Sequence, residues 1–321
     1  MVKKLFFTAL TITVIFGVGL LIYGQTSKFN PKSDESKSTI NSSFNTNIIK
    51  TSKGLPFIKN FSPIDYDGEG ENFDIVQDKR GVMYFANFTG ILEYDGTNWR
   101  TILTENINRV KTFAKSKNGK IYAGGRKEFG FLESDLLGNL VFKNIAAKID
   151  SNLQSFYEVI KIFDINGEIF IISNNWILKY NHDKFKVIVK DQSILNAFQV
   201  NNEIFYTDKN SGLRKINENG KSVSVPQGEK FNEELRISFI LQLDNNKNLI
   251  GTDADGLYLY ENNNIIKLNT ETSNFIKNYG SNCAVSLGNE LYAIGTQRSG
   301  ILFLDRNLSC LLYTSPSPRD S

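Results

Sequence analysis

The sequence predicts an all-β fold, and three observations support this prediction. Phe, Tyr and Gly are plentiful, with 24, 13 and 24 copies among 321 residues, whereas Pro and Met are scarce. Short apolar runs alternate with turns that contain Gly or Asn, as in GVMYFANFTGILEYDG at 81–96. The same arrangement recurs six times along the chain. Aromatic residues with frequent Gly and Asn turns favour strands over helices.

The repeat is clearest in an inner pair of apolar residues, whose second members recur every 35–48 residues. The six pairs are Met83-Tyr84, Ile121-Tyr122, Ile169-Phe170, Ile204-Phe205, Leu249-Ile250 and Leu291-Tyr292. This alignment predicts that Tyr84, Tyr122 and Tyr292 occupy matching places in successive units.

Each unit reads as four strands. An opening strand such as FDIVQD precedes the inner pair, a third such as GILEY follows it, and a fourth such as WRTIL appears in the first five units. A period of about 40–50 residues with four strands per unit is typical of a β-propeller. Radial blades cover both faces of each sheet, which explains the consecutive apolar residues of MYFANF and IFIIS. A solenoid or a sandwich is the alternative.

The first 24 residues predict a hydrophobic helix. Lys3 and Lys4 precede 20 uncharged, mostly apolar residues, Leu5 to Gly24. As a helix these span about 30 Å, enough to cross a bilayer core. A cleaved signal peptide and an uncleaved membrane anchor both remain open, and either one exports the rest of the chain. Residues 25–53 are rich in Ser, Asn, Thr and Lys and predict a flexible linker.

The C-terminal residues 309–321 differ from the repeats. CLLYTSPSPRD, from Cys310 to Asp320, matches a frame translation of a transposase adapter used in sequencing libraries. We therefore expect 309–321 to be adapter-derived, the propeller to occupy 54–308, and the sixth unit to be incomplete, without its own fourth strand.

Composition argues against several function classes. Lys and Arg number 37 against 34 Asp and Glu, for a formal charge of +3, and no basic block indicates a nucleic-acid partner. The chain has one histidine, His182, and two cysteines, Cys283 and Cys310. Zinc sites and Ser–His or Cys–His pairs need more of these residues or a well-placed His. We expect no catalytic set, metal or cofactor in this chain.

Residues 54–104 carry a resemblance. PFIKNFSPIDY (56–66), IVQDKRGVMYFAN (75–87) and GILEYDGTNWR (90–100) resemble the start of the periplasmic propeller in two-component regulator propeller-repeat sensors. These include hybrid histidine kinases and sensors with a triple-tyrosine motif. Later units match only as repeats, and Phe73 stands where the family often has Trp.

The resemblance implies a modular receptor. In such proteins a small β domain with three tyrosines, a membrane span and a cytoplasmic output follow the propeller. It therefore implies an extracytoplasmic sensor module without its output, periplasmic or extracellular, and held in the inner membrane by residues 5–24 if these are not cleaved. A homodimer is an arrangement open to the full-length receptor.

Several short motifs resemble known kinds of site. TDADG (252–256) hints at a calcium loop but lacks the full ligand set, and DYDGEGE (65–71) reads as a solvated acidic loop. GGRKEFG (124–130) lacks the strand-loop-helix context of a phosphate cradle. His182 is expected on an exposed turn, and Trp99 and Trp176 are expected to pack rather than to bind.

The candidate ligand site is the ring of loops between second and third strands, which propellers gather at one mouth of the central channel. Here those loops contribute Asn87, Arg126, Asn174, Asp208, Asp253 and Gln297. This ring predicts a small polar ligand such as a saccharide. The favoured function is therefore a ligand-sensing module. The alternatives are an exported propeller enzyme acting on glycans and a surface scaffold for protein–protein contact.

Overall fold

A computed structural model describes residues 59–105, 109–181, 183–217 and 219–314. The expected hydrophobic helix at 1–24, the linker at 25–53 and His182 lie outside the described residues. Six four-stranded antiparallel sheets form, each from strands consecutive in the chain, and they confirm the all-β propeller prediction. No helix of the described part is long and apolar enough to cross a membrane.

The strands occupy four positions in each blade. The first strands are β1 (Asn72–Gln77), β5 (Val110–Lys115), β9 (Val159–Ile165), β13 (Ile194–Val200), β17 (Ile237–Gln242) and β21 (Ser281–Gly288). The second strands are β2 (Met83–Asn87), β6 (Ile121–Gly125), β10 (Glu168–Ser173), β14 (Glu203–Asp208), β18 (Lys247–Thr252) and β22 (Leu291–Thr296). The third strands are β3 (Gly90–Tyr94), β7 (Phe129–Ser134), β11 (Ile177–Asn181), β15 (Gly212–Ile216), β19 (Leu257–Glu261) and β23 (Ile301–Leu304). The fourth strands are β4 (Trp99–Ile102), β8 (Leu140–Asn144), β12 (Lys184–Val189), β16 (Ser222–Ser224), β20 (Asn264–Lys267) and β24 (Cys310–Thr314).

Short helices lie outside the blades. They are α1 (Pro63–Tyr66), α2 (Glu271–Tyr279) and two 3₁₀ turns at Ala146–Lys148 and Ser151–Leu153. Helix α2, which connects blades 5 and 6, was not predicted from the sequence. Its start is marked by Thr270, whose side chain accepts a hydrogen bond from the Ser273 N–H at 3.1 Å. Ile276, fully buried, anchors it to the core.

Radial stacking is visible in the apolar core. The first strands of consecutive blades pack side by side, from β1 through β21. Five buried clusters each join two adjacent blades, and one pair represents each: Tyr84 and Ala123, Phe129 and Leu178, Ile172 and Ile204, Phe205 and Ile250, Leu249 and Ile294. Each sheet thus buries a face against a neighbour, which explains the consecutive apolar residues of the second strands.

The register corrects one expectation about the tyrosines. Tyr84 and Tyr122 each lie three residues before the last paired residue of their second strand, Asn87 and Gly125. Tyr292 lies four residues before Thr296. Successive strand residues face opposite sides, so Tyr292 packs towards blade 5, whereas Tyr84 and Tyr122 face the next blade. Ile250 of blade 5 lies only two residues before Thr252, so the inner pairs of blades 5 and 6 are displaced by one residue in opposite directions from those of blades 1 to 4.

The sixth blade has a fourth strand, contrary to expectation. Residues Cys310–Thr314 form β24, which pairs antiparallel with β23, for example Leu302 with Tyr313. The expected boundary at Leu308 therefore does not coincide with the edge of the sheet. The adapter origin of 309–321 stays a prediction, and 315–321 lie outside the described residues.

Candidate functional site

One residue position closes the turn between second and third strands in most blades. It is the last paired residue of the second strand: Asn87, Gly125, Ser173, Asp208, Thr252 and Thr296. Apart from the glycine, these side chains are polar and at most 2% exposed, and each makes hydrogen bonds inside its own turn. Buried polar groups need such partners, so this position serves the turn.

Asn87 and Asp208 of the predicted ring occupy this turn-closing position. The Asn87 amide donates to the carbonyl oxygens of Glu69 at 2.7 Å and Glu71 at 3.2 Å. The Asp208 carboxylate accepts from the backbone N–H groups of Ser193 and Ser211 at 2.8 and 2.9 Å. Burial alone raises the pKa of Asp208, but these hydrogen bonds outweigh burial and hold it below its ordinary value. Both side chains hold neighbouring loops in place through these hydrogen bonds.

The other four ring residues lie one position further along. Arg126, Asn174, Asp253 and Gln297 each follow the last paired residue, so the predicted ring combines two successive positions. Their backbone N–H groups donate to the carbonyl of the residue that precedes the first strand of the same blade, at Arg109, Glu158, Arg236 and Gly280. In blades 1 and 4 the residues that follow the last paired residue are Phe88 and Lys209.

These four side chains differ in availability. The Asn174 amide oxygen accepts from the N–H groups of Tyr157 at 3.0 Å and Glu158 at 3.3 Å. The Gln297 amide donates to the Ser281 carbonyl at 3.1 Å. Asp253 is half-buried, and its Oδ1 atom lacks a hydrogen-bond partner within the described part of the chain. Arg126 is exposed and takes part in none of the ion pairs among the described residues.

An aromatic and cationic surface, here called the mouth patch, surrounds Arg126. It comprises Phe73, Phe88, Arg109, Lys111, Arg126, Tyr157 and Glu158. The Arg109 guanidinium lies 5.1 Å from the Phe88 ring centroid and 5.4 Å from that of Phe73. The Arg126 guanidinium lies 5.3 Å from the Tyr157 ring. Cations over aromatic faces at such distances are attracted by the ring quadrupole.

Glu158 organises the patch. Its carboxylate forms ion pairs with Arg109 and, at 2.9 Å, with Lys111, and its side chain is 8% exposed. A backbone bridge joins Glu158 to Arg126, and the Arg126 N–H donates to the Arg109 carbonyl at 3.0 Å. Blades 1, 2 and 3 therefore meet in one connected surface. Sequence patterns indicated only Arg126 of it, because Phe73 and Lys111 stand at bulged places within first strands, which no periodicity marks.

A second space lies in the central channel. A cavity of about 250 Å³ is lined by first-strand residues that include Asp74, Lys115, Lys161, Asp164 and Gln199. Burial raises the pKa of the Cys283 thiol, and the Lys161 charge acts against that shift.

The remaining sequence motifs take structural places. TDADG forms the turn between β18 and β19, and DYDGEGE ends α1 and leads into β1. Trp176 is 1% exposed in the core, and Trp99 stacks on Tyr94 at 4.6 Å, which confirms packing roles. Within the described residues no three His, Cys, Asp or Glu side chains are placed to hold a metal.

No family model and no curated protein matches the sequence. Solved structures do match in fold. The extracellular domain of the hybrid two-component system protein BT4673 from B. thetaiotaomicron is 16% identical, with a TM-score of 0.56, over 77% of this chain and 33% of that one. This chain thus spans about a third of that extracellular domain's length.

Enzymes of the same fold also match. Virginiamycin B lyase from Staphylococcus aureus is 14% identical, with a TM-score of 0.54, over 75% of this chain and 83% of that one. The dihydro-heme d1 dehydrogenase NirN is 14% identical, with a TM-score of 0.54, over 76% of this chain and 56% of that one. At these identities the likeness establishes the propeller fold alone.

Proposed function

We propose that this chain is the ligand-sensing propeller of an exported signal-transduction receptor. The mouth patch is the observation that carries the proposal, because it gathers exposed charged and aromatic side chains from three blades at one end of the channel. Three further points support it: the fold likeness to a two-component extracellular domain, the residue-level resemblance of 54–104 to sensor propellers, and the exportable character of residues 1–24.

The blade architecture suggests how a bound ligand acts. Glu158 directly precedes β9, Arg109 directly precedes β5, and Phe73 lies in β1, so one ligand on the patch reaches the beginnings of three first strands. Such a ligand holds the three blades in one relative arrangement. In a complete receptor, a change in that arrangement is what an attached output domain would read. A ligand shifts such an equilibrium only by its differential affinity for the two arrangements.

Export and binding are tested separately. The 321-residue chain with a C-terminal tag is produced in a Gram-negative host, and protease access is measured in spheroplasts. We expect external protease to degrade the tag. A tag that stays protected while a periplasmic marker is degraded would contradict export.

Binding is tested by thermal unfolding against a panel of saccharides, sugar acids, aromatic acids, amino acids and nucleosides. A ligand at ten times its Kd adds about 1.4 kcal/mol, which raises the Tm of a domain of this size by roughly 3–6 °C. A folded chain that no panel member stabilises would argue against a small-molecule sensor. It would favour the scaffold alternative.

A further inference from the structure

We propose that the mouth patch binds a small ring compound that carries a carboxylate. This inference rests on the proposed function and names its ligand class. The exposed guanidinium of Arg126 indicates the anion, and the exposed aromatic side chains indicate a ring with an apolar face.

The anionic part of the ligand follows from Arg126. Arg109 and Lys111 share the carboxylate of Glu158. Three further acids lie in the adjoining loops and balance the remaining positive charge: Glu69, Glu71 and Glu128. Arg126 is exposed and takes part in none of the ion pairs among the described residues, so its guanidinium is available to a ligand. A ligand carboxylate supplies the partner that fits a guanidinium in two parallel hydrogen bonds.

The ring half follows from the exposed aromatics. Phe88 is 39% exposed and Tyr157 is 53% exposed, although each is held against a guanidinium. Phe88 also packs edge-to-face on Phe73, with ring centroids 5.0 Å apart. Exposed aromatic faces of this kind gain apolar contact from a ligand with a flat face. An inorganic anion uses the cations but leaves these rings in water.

The patch is also organised before any ligand arrives. Glu158 holds Arg109, and the Asn174 amide oxygen fixes the backbone of Tyr157 and Glu158. The Lys127 N–H donates to the Tyr157 carbonyl at 3.2 Å. Binding therefore orders few additional groups, which lowers its entropic cost.

The test measures Kd by calorimetry on the full chain with two acids, galacturonate and 4-hydroxybenzoate. Their neutral counterparts, galactose and 4-hydroxybenzyl alcohol, and inorganic phosphate are the comparison compounds. We expect at least one acid to bind ten-fold or more tightly than its neutral counterpart and than phosphate. Which acid binds distinguishes a sugar source from an aromatic source.

Three variants locate the binding. Arg126→Gln is expected to weaken the acid at least ten-fold and to leave the neutral compound unchanged. Tyr157→Ala is expected to weaken it about five-fold. Arg306→Gln, which removes an exposed charge paired with Glu290 on blade 6, is the matched control and should change nothing.

Each other result overturns the inference. If neither acid binds, or if the neutral compound binds as well as the acid, the ligand class is wrong. If Arg126→Gln leaves the Kd of the acid unchanged, the place is wrong. The proposed function survives these outcomes when another member of the wider panel binds, and it fails with the inference only when none does.

Discussion

The carboxylate of Asp208 accepts the backbone N–H of Ser193 at 2.8 Å, and so ties the end of β14 to the entrance of β13. The same carboxylate accepts from the N–H groups of Asn210 and Ser211 at 3.0 and 2.9 Å. Asp208 is 2% exposed, so removal of its carboxylate would leave these three N–H groups without an acceptor in a site with little water. One side chain thus fixes two loops of blade 4.

Replacing Asp208 with Ala is expected to lower the free energy of unfolding by about 2–3 kcal/mol, because several N–H groups lose a charged acceptor. Asp208→Asn keeps an acceptor oxygen and is expected to cost less. Urea denaturation followed by fluorescence measures both. Equal stability of Asp208→Ala and the parent chain would show that water replaces the carboxylate.

The pH dependence of Asp208 has a definite sign. Its pKa is lowered in the folded state, so its contribution is complete above the ordinary value of about 3.9 and is lost as pH falls through the folded value. We expect the stability difference between the parent chain and Asp208→Asn to be constant from about pH 7 to 5. It should shrink below about pH 4. A difference that grows on acidification would contradict the assignment.

Trp176 is expected to be among the most sensitive core positions. It is 1% exposed, packs 5.1 Å from the Phe156 ring, and donates its indole N–H to the Leu153 carbonyl at 3.0 Å. Trp176→Ala should cost about 3–5 kcal/mol through the cavity it leaves. Trp176→Phe keeps one aromatic ring but loses the hydrogen bond and part of the indole volume, so it should cost less than Trp176→Ala. Thermal denaturation of both variants measures the two losses.

Gly125 stands at the turn-closing position of blade 2, where no side chain fits. A Cβ atom there would lie 1.9 Å from the Arg109 carbonyl oxygen. Gly125→Ala is therefore expected to cost about 3 kcal/mol and to disturb Arg109 in the mouth patch. Gly138→Ala is the control, because apart from its chain neighbours no heavy atom of the described residues lies within 4 Å of a Cβ added there, although its φ of +85° carries a smaller cost. Similar losses for the two variants would contradict a steric cause.

The predicted loop ring and the mouth patch make different predictions. Asp253 belongs only to the ring, whereas Arg126 belongs to both. We expect Arg126→Ala to abolish binding of the ring carboxylate. Asp253→Ala should leave its Kd within two-fold of the value for the parent chain. If Asp253→Ala weakens binding as strongly as Arg126→Ala, the ligand reaches across the channel mouth and the ring prediction is right.

The strands were predictable from sequence, but their register was not. Apolar pairs between Gly and Asn turns marked all six second strands, because composition identifies a buried strand. Tyr292 was misplaced because runs such as LYAIG are apolar on both faces, so no alternation fixes which residue faces which blade. A shift of one residue moves every side chain to the opposite face.

The same ambiguity limited the candidate site. Arg126, Asn87 and Asp208 were all proposed because they lie in loops between second and third strands, but Asn87 and Asp208 hold their own turns. Phe73, Lys111 and Glu158 come together through bulged first strands and a contact between residues 47–49 apart in sequence. Single-sequence patterns carry no information about such pairings.

Each interface between two adjacent blades from blade 1 to blade 6 has its own buried apolar cluster, here called a seam. Each of the five seams seals two neighbours, and the outward faces of blades 1 and 6 have separate clusters of their own within the described residues. In such a row of coupled units, loosening one seam leaves the others closed. A ligand bound to blades 1 to 3 would stabilise the two seams between them and slow amide hydrogen exchange there, while blades 4 to 6 would keep the exchange rates of the free protein. Ligand binding would then be detected as a difference in local stability between blades 1 to 3 and blades 4 to 6.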